Sequence, residues 1–316
     1  MMSNNIPSDS IVEDSIPEWT KRDYIIYGYR SKKSINECIF SIFKIHNETI
    51  NIWSHLISLI TFLYILWYDV INYKKCNIAN ITYITNTANT ANITDITNIT
   101  DIANVNNAIN ILQIDNILYY NYIILLLYDL ISITTFGIST IYHTFIPNDY
   151  DNYIILLKLD LLTIILVICS SNFIIMYYWF WCISNYLNMY IIASCIYLFG
   201  GIILLCFLDI IKKYNYILIY FSSYNLGIII GYIYIIYNYK ENVNKYIVYN
   251  FAGPLIIYMI GFIIYSAKIP EKVLYNYTDY IGNSHQIWHI LSFIASYLFH
   301  EEIIKNIIYR NNNYLC

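Results

Sequence analysis

Seven apolar runs, each about 20 residues or longer, can be drawn through this chain, at about 50–70, 118–142, 155–178, 187–209, 216–238, 246–267 and 284–308. Coiled as a helix, a run of that length matches the hydrocarbon thickness of a bilayer. Inside lipid every backbone N–H and C=O must find its partner within the protein, which leaves only helices and closed barrels as spanning structures. Continuous apolar runs, rather than short alternating ones, select the helix. The sequence therefore predicts an all-α membrane protein with seven transmembrane helices. Composition agrees, since 58% of residues are apolar and 12% charged, with a mean hydropathy of +0.49, outside the range of ordinary soluble domains. The net charge of −4, with no basic stripe beyond the amino-terminal segment, argues against nucleic acid as a partner.

The thirty-seven tyrosines, with a parallel excess of isoleucine and asparagine, read as the codon usage of an AT-rich genome rather than as a designed aromatic surface. The seven cysteines form no CxxC pair and predict neither a disulfide framework nor a cysteine metal site.

Residues 1–45 form a polar segment without the apolar core or cleavage site of a secretory signal. Residues 46–308 hold the spans. Within them, residues 76–116 read as a low-complexity Asn/Thr/Ile loop insertion on the extracytosolic side, too poor in large apolar groups other than isoleucine to pack a core. Residues 309–316 are then an extracytosolic tail. Seven spans put the two chain ends on opposite faces. Counting Lys and Arg in the loops assigns eleven to the side of the amino terminus and six to the other. The positive-inside rule therefore predicts a cytosolic amino terminus.

With that topology, His143 ends the second span, Asp160 begins the third, and His285 and His289 begin the seventh, so all four fall near the cytosolic face. Ionisable groups at the edge of a span are costly to desolvate and mark functional sites. His285 and His289 are one helical turn apart, the i, i+4 geometry that lets two imidazoles on one helix share a metal. His143 supplies a third ligand if the second and seventh helices are neighbours. Asp160 would offset the charge of a zinc ion there, directly or through a bound water. Ser139, one turn before His143, would hydrogen-bond to that water or to a substrate oxygen. Zinc in such a site activates water at neutral pH and polarises a carbonyl.

The stretches HNETINIWSHL from His46, GISTIYHTF from Gly137, KLD at Lys158–Asp160, AKIPE from Ala267 and NSHQIWH from Asn283 resemble, in order, those of the progestin and adipoQ receptor (PAQR) family. That family includes the adiponectin receptors and haemolysin III relatives. The resemblance implies a seven-helix fold with a cytosolic amino terminus and a zinc ion near the cytosolic face. His143, His285 and His289 would be the zinc ligands, with Asp160 holding the zinc-bound water and Ser139 nearby. It also implies a ceramidase-like activity, in which water attacks the amide carbonyl of a membrane lipid. His46, Asn47, Glu48, Asn51, Trp53 and His55 match the family too, and their position predicts helix entry and interfacial anchoring, with a role supporting the metal ligands from behind, or a regulatory one, as the alternative.

Three function classes follow. A lipid amide hydrolase would take a ceramide-like substrate from the bilayer and use Asp160 as general base. A signalling receptor would keep zinc as a structural ion and answer to an extracellular ligand that the sequence does not identify. A haemolysin III-like lytic or pore-forming protein would permeabilise membranes. A homo-oligomer is compatible with each of them.

Overall fold

In the computed structural model, residues 16–90, 99–180, 184–210, 212–238 and 249–313 are described. Among them the secondary structure is helical throughout. A single 3-10 turn at Glu18–Thr20 precedes α1 (Ile35–Ser41), α2 (Thr49–Thr90), α3 (Ile99–Phe145), α4 (Tyr150–Phe180), α5 (Ser184–Phe207), α6 (Tyr214–Asn238), α7 (Ala252–Ala267) and α8 (Ser284–Asn313). Five stretches are long and apolar enough to cross a membrane: Thr49–Asn72, Tyr120–Phe145, Tyr150–Phe180, Asn185–Phe207 and Tyr214–Tyr234. They match the first five predicted runs. The other two coincide with α7, an apolar helix of 16 residues, and α8, whose buried side carries histidine, serine and asparagine. Large apolar side chains such as Phe207, Ile196, Ile230 and Ile263 point outward, as lipid-facing residues do. The chain is a helical multi-pass membrane protein.

The helical backbone of α2 and α3 continues into the predicted loop tract, to Thr90 on one side and from Ile99 on the other. Residues 91–98 of that tract, like residues 1–15 and the last three of the predicted tail, lie outside the described residues. α8 extends to Asn313, beyond the predicted end of the seventh run.

α2 packs against α3 and α8, α3 also against α4 and α8, and α7 against α8. These contacts make the second and seventh predicted spans neighbours. One apolar core, around Phe62, Tyr128, Phe136, Phe251 and Phe299, fills the space between α2, α3 and α8. A second joins α4 to α5 and α6 around Ile165, Leu161 and Ile217, and there Tyr197 stacks on Tyr220 and Tyr224 with ring centroids 4.4 and 4.3 Å apart. Part of the tyrosine excess is thus buried and stacked, an amphipathic ring serving as core filler.

The amino-terminal segment closes one end of the bundle. Arg30, buried, donates from Nη2 to the carbonyl of His143 at 2.6 Å and from Nη1 to that of Thr144 at 3.0 Å, and so satisfies the orphan carbonyls at the end of α3. Trp19 Nε1 reaches the carbonyl of Ile146 at 3.0 Å, and the N–H of Ile26 reaches Asp279 Oδ1 at 2.7 Å. Gly28 (φ +83°) passes so close to Asn47 and Tyr280 that a Cβ would sit 2.8 Å from the tyrosine ring, which only glycine permits.

Candidate metal centre

The helix starts that carry the site are locally determined. At α8, Asn283 Oδ1 accepts the N–H of Gln286 at 3.1 Å, and Gln286 Oε1 accepts that of Gly282 at 2.6 Å, a reciprocal cap. Glu271 accepts the N–H of Ser284 at 2.7 Å as well as its hydroxyl, placing an anion at the positive end of the helix. These contacts fix the rotation of the first two turns, and with it the direction of His285 and His289. At α2, Thr49 Oγ1 accepts the N–H of His46 at 2.8 Å, while His46 Nδ1 accepts that of Glu48 at 3.2 Å.

His143 in the last turn of α3 meets His285 and His289 on α8. His285 Nε2 lies 3.3 Å from His143 Nε2 and 3.2 Å from His289 Nε2, and the donor atoms of all three rings lie within 4.8 Å of one another. His143 and His289 are buried and His285 is half-buried. The tautomers follow from the other ring nitrogens. His143 Nδ1 donates to Glu48 Oε2 at 2.9 Å, and His289 Nδ1 faces the carbonyl of Asn51 at 3.3 Å. With both Nδ1 atoms serving as donors, both Nε2 lone pairs point inward, toward His285. Facing lone pairs repel unless a proton or a cation lies among them, so this donor set fits a metal ion.

Glu48 takes the supporting role that the sequence left as the alternative to helix entry. Its Oε2 holds His143 and its Oε1 is paired with Arg22 Nε at 3.0 Å. Burial alone would raise the Glu48 carboxyl, but the Arg22 guanidinium and the His143 imidazole outweigh it and hold the group well below the usual carboxylate range. Burial likewise opposes the charge of Arg22, and Glu48 overcomes it, so the guanidinium titrates above its ordinary value. A carboxylate that grips the far nitrogen of a ligand histidine fixes its tautomer and makes it a stronger donor. Helix entry therefore describes Glu48 incompletely.

The same holds for His55. Its ring, six residues past the start of α2, is buried and stacks on His289 at 3.7 Å, with Phe136 edge-on at 5.2 Å. The sequence signal for both is the stretch from His46 to Leu56, where they precede or enter the first apolar run. Nothing in the sequence pairs Arg22 with Glu48.

Asp160 lies outside the group of converging donor atoms but next to it. It is half-buried in α4, acts electrostatically on His143 and faces the hydroxyl of the buried Ser139. Tyr214 and Tyr265, whose hydroxyls are 2.6 Å apart, flank the same space, and the Tyr265 ring lies 5.2 Å from that of His285. All five predicted site residues are therefore brought together, three as converging donors and two as a carboxyl–hydroxyl pair beside them.

Fold and site together define a helical multi-pass membrane protein with a buried three-histidine metal-type centre where two of its helices meet. The model of the haemolysin-III related family matches residues 43–300, and the chain belongs to that family. It is 26% identical over 308 residues to the uncharacterized protein C30D11.11 of Schizosaccharomyces pombe, a match covering 93% of this chain and 58% of that one. It is 39% identical over 70 residues to progestin and adipoQ receptor family member 3 of Homo sapiens, covering 21% of this chain and 22% of that one. A match of 43% over 58 residues to the ADIPOR-like receptor IZH2 of Saccharomyces cerevisiae covers 18% of each. The chain thus spans a little over half the length of the fission-yeast relative and about a fifth of the other two.

Proposed function

We propose that this protein is a lipid amide hydrolase of the ceramidase type, with zinc held by His143, His285 and His289. The observation that carries the reading is the convergence of three imidazole nitrogens beside a carboxyl–hydroxyl pair, Asp160 and Ser139. Three neutral nitrogens suit zinc and leave a coordination position open, as catalytic rather than structural sites do. Zinc bound there supplies a Lewis acid and brings the pKa of a bound water toward ~7.

The chain's own residues supply the rest. Asp160 takes a proton from the attacking water as the C–O bond forms, and returns it to the amine as the amide C–N bond breaks. The products are a fatty acid and a sphingoid base. Ser139 orients the Asp160 carboxyl, Glu48 keeps His143 in the ligand tautomer, and Arg22 balances Glu48. The Lys/Arg asymmetry of the loops supports a cytosolic amino terminus, with the site on that side. The outward apolar side chains fit a substrate that arrives through the bilayer.

The names of two relatives, a progestin and adipoQ receptor family member and an ADIPOR-like receptor, favour a second reading, a signalling receptor in which the metal joins α3 to α8. Fatty-acid release from ceramide by detergent-purified protein separates the two. The hydrolase reading expects release that an Asp160→Ala variant lacks while retaining its zinc. Equal, background-level release from both proteins, each with zinc bound, favours the receptor.

A further inference from the structure

The three helices that meet at the histidine centre meet again at a second buried polar cluster. Asp69 on α2, Asp129 on α3 and His300 on α8 are 4%, 0% and 3% exposed, so each is more than nine-tenths buried. His300 lies eleven residues past His289, and Asp129 fourteen residues before His143. At a rise of 1.5 Å per residue, the second cluster is between about 16 and 21 Å along the helices from the first. Aromatic rings fill the interval: His55 contacts Phe136, Phe136 contacts Phe62 at 5.5 Å, and Phe62 is edge-on to His300 at 6.4 Å. The two clusters are separate sites.

The imidazole of His300 sits between the carboxylates. Its Nδ1 is 2.9 Å from Asp129 Oδ1, and its Nε2 is 3.6 Å from Asp69 Oδ2, past hydrogen-bond reach. Among the described residues, Asp69 Oδ2 and Asp129 Oδ2 are buried without a hydrogen-bond partner, and the two carboxyl groups act on one another. Among the described residues, the charges that act on the three groups include one another's and that of Glu301, a further anion. A buried charge needs a counter-charge, and orphaned carboxylate oxygens need a ligand. One proton on His300 balances one carboxylate, whereas a divalent cation balances both.

We propose that Asp69, Asp129 and His300 form a second metal site, which binds a divalent transition cation through two carboxylate oxygens and one imidazole nitrogen. The donor atoms, one from each residue, already lie within 4.8 Å of one another. Two hard oxygens and one imidazole suit zinc, manganese, cobalt or ferrous iron and disfavour soft monovalent copper. Placed where α2, α3 and α8 meet, the ion ties these helices together at the end away from the histidine centre.

The test uses the full chain in detergent, stripped with a chelator and reloaded with zinc chloride by equilibrium dialysis. Zinc per chain is read by elemental analysis and folding by size-exclusion profile. The wild-type protein is expected to hold two equivalents. Asp129→Asn and His300→Gln, which keep side-chain size, are each expected to hold one. His289→Ala, which leaves the second cluster intact, is also expected to hold one, and this arm is informative even if the Asp129 and His300 variants fail to fold. Two equivalents in folded Asp129→Asn, or none in folded His289→Ala, would overturn the assignment, whereas one equivalent in both the wild type and His289→Ala would leave it standing and count against zinc at the histidine centre.

Discussion

The two polar clusters held by α2, α3 and α8 have opposite electrical character. One consists of three imidazoles, with its charges set back as the Glu48–Arg22 pair behind His143. The other places two carboxylates against one imidazole, with Glu301 adding a further negative charge. A metal in the first keeps its positive charge and its power to polarise a ligand, because the donors cancel none of it. A metal in the second has that charge cancelled by its own donors. The first arrangement suits chemistry and the second suits a clasp, although the same helices carry both.

Deleting a donor from the neutral cluster should have the largest effect. His289→Ala is expected to lower zinc affinity at that centre by more than ~100-fold, the upper end of what loss of a supporting residue alone costs. Chelator competition measures it, and an unchanged affinity would break the distinction between the clusters. Next comes the charge behind the neutral cluster. Glu48→Gln keeps the shape but removes the carboxylate that sets the His143 tautomer, and is expected to weaken zinc binding by roughly 10- to 100-fold. The same substitution should leave the Asp69–Asp129–His300 cluster untouched, which sharpens the comparison.

A stability effect separates packing from metal binding. Arg30→Met removes charge-assisted hydrogen bonds to two carbonyls of α3 and to Ser41 Oγ. It should destabilise the protein by about 2–3 kcal/mol in thermal unfolding, as loss of buried bonds from a charged group does. Zinc content should stay at the wild-type value.

The last effect is a pH slope, modest at any one pH. Burial, aided by Arg30, lowers the His46 imidazole to about 4, and the neutral ring is satisfied by the Glu48 N–H on one side and the Ser41 carbonyl on the other. As pH falls, the unfolded chain takes this proton first. The contribution of His46 to stability is therefore fully present above about pH 6.5 and is lost on the way down to about 4, with a slope of at most about 1.4 kcal/mol per pH unit. His46→Asn should flatten that part of the stability profile; an identical slope in both proteins would contradict the assignment.

The sequence made His143, His285 and His289 visible because their spacing and their common depth at span ends are properties of a single helix and of a hydropathy profile. Ser139 and Asp160 followed from the same depth. Glu48 and His55 stood in a stretch singled out as interfacial, and only tertiary contacts with α3 and α8 show their partners. Asp69, Asp129 and His300 each sit alone within or beside a predicted span, without a pair at helical spacing. An ionisable residue within a span is itself a signal of function, but what joins these three is the parallel course of α2 and α8 with α3 running against them. The helical continuation of α2 and α3 into the Asn/Thr/Ile tract was not legible, because that composition offers no apolar stripe to place against a neighbour. Arg22 and Arg30 act through carboxylate and carbonyl partners contributed by other segments, which a linear sequence does not indicate.

If the three imidazoles bind one zinc ion, nitrogen dominates its coordination. Zinc K-edge X-ray absorption on Asp129→Asn protein, with the second cluster disabled and one equivalent of zinc loaded, tests it most directly. Nitrogen neighbours at ~2.0–2.1 Å with the multiple scattering of imidazole rings, completed by one oxygen, are expected. An oxygen-only shell, or protein that retains no zinc, would contradict it.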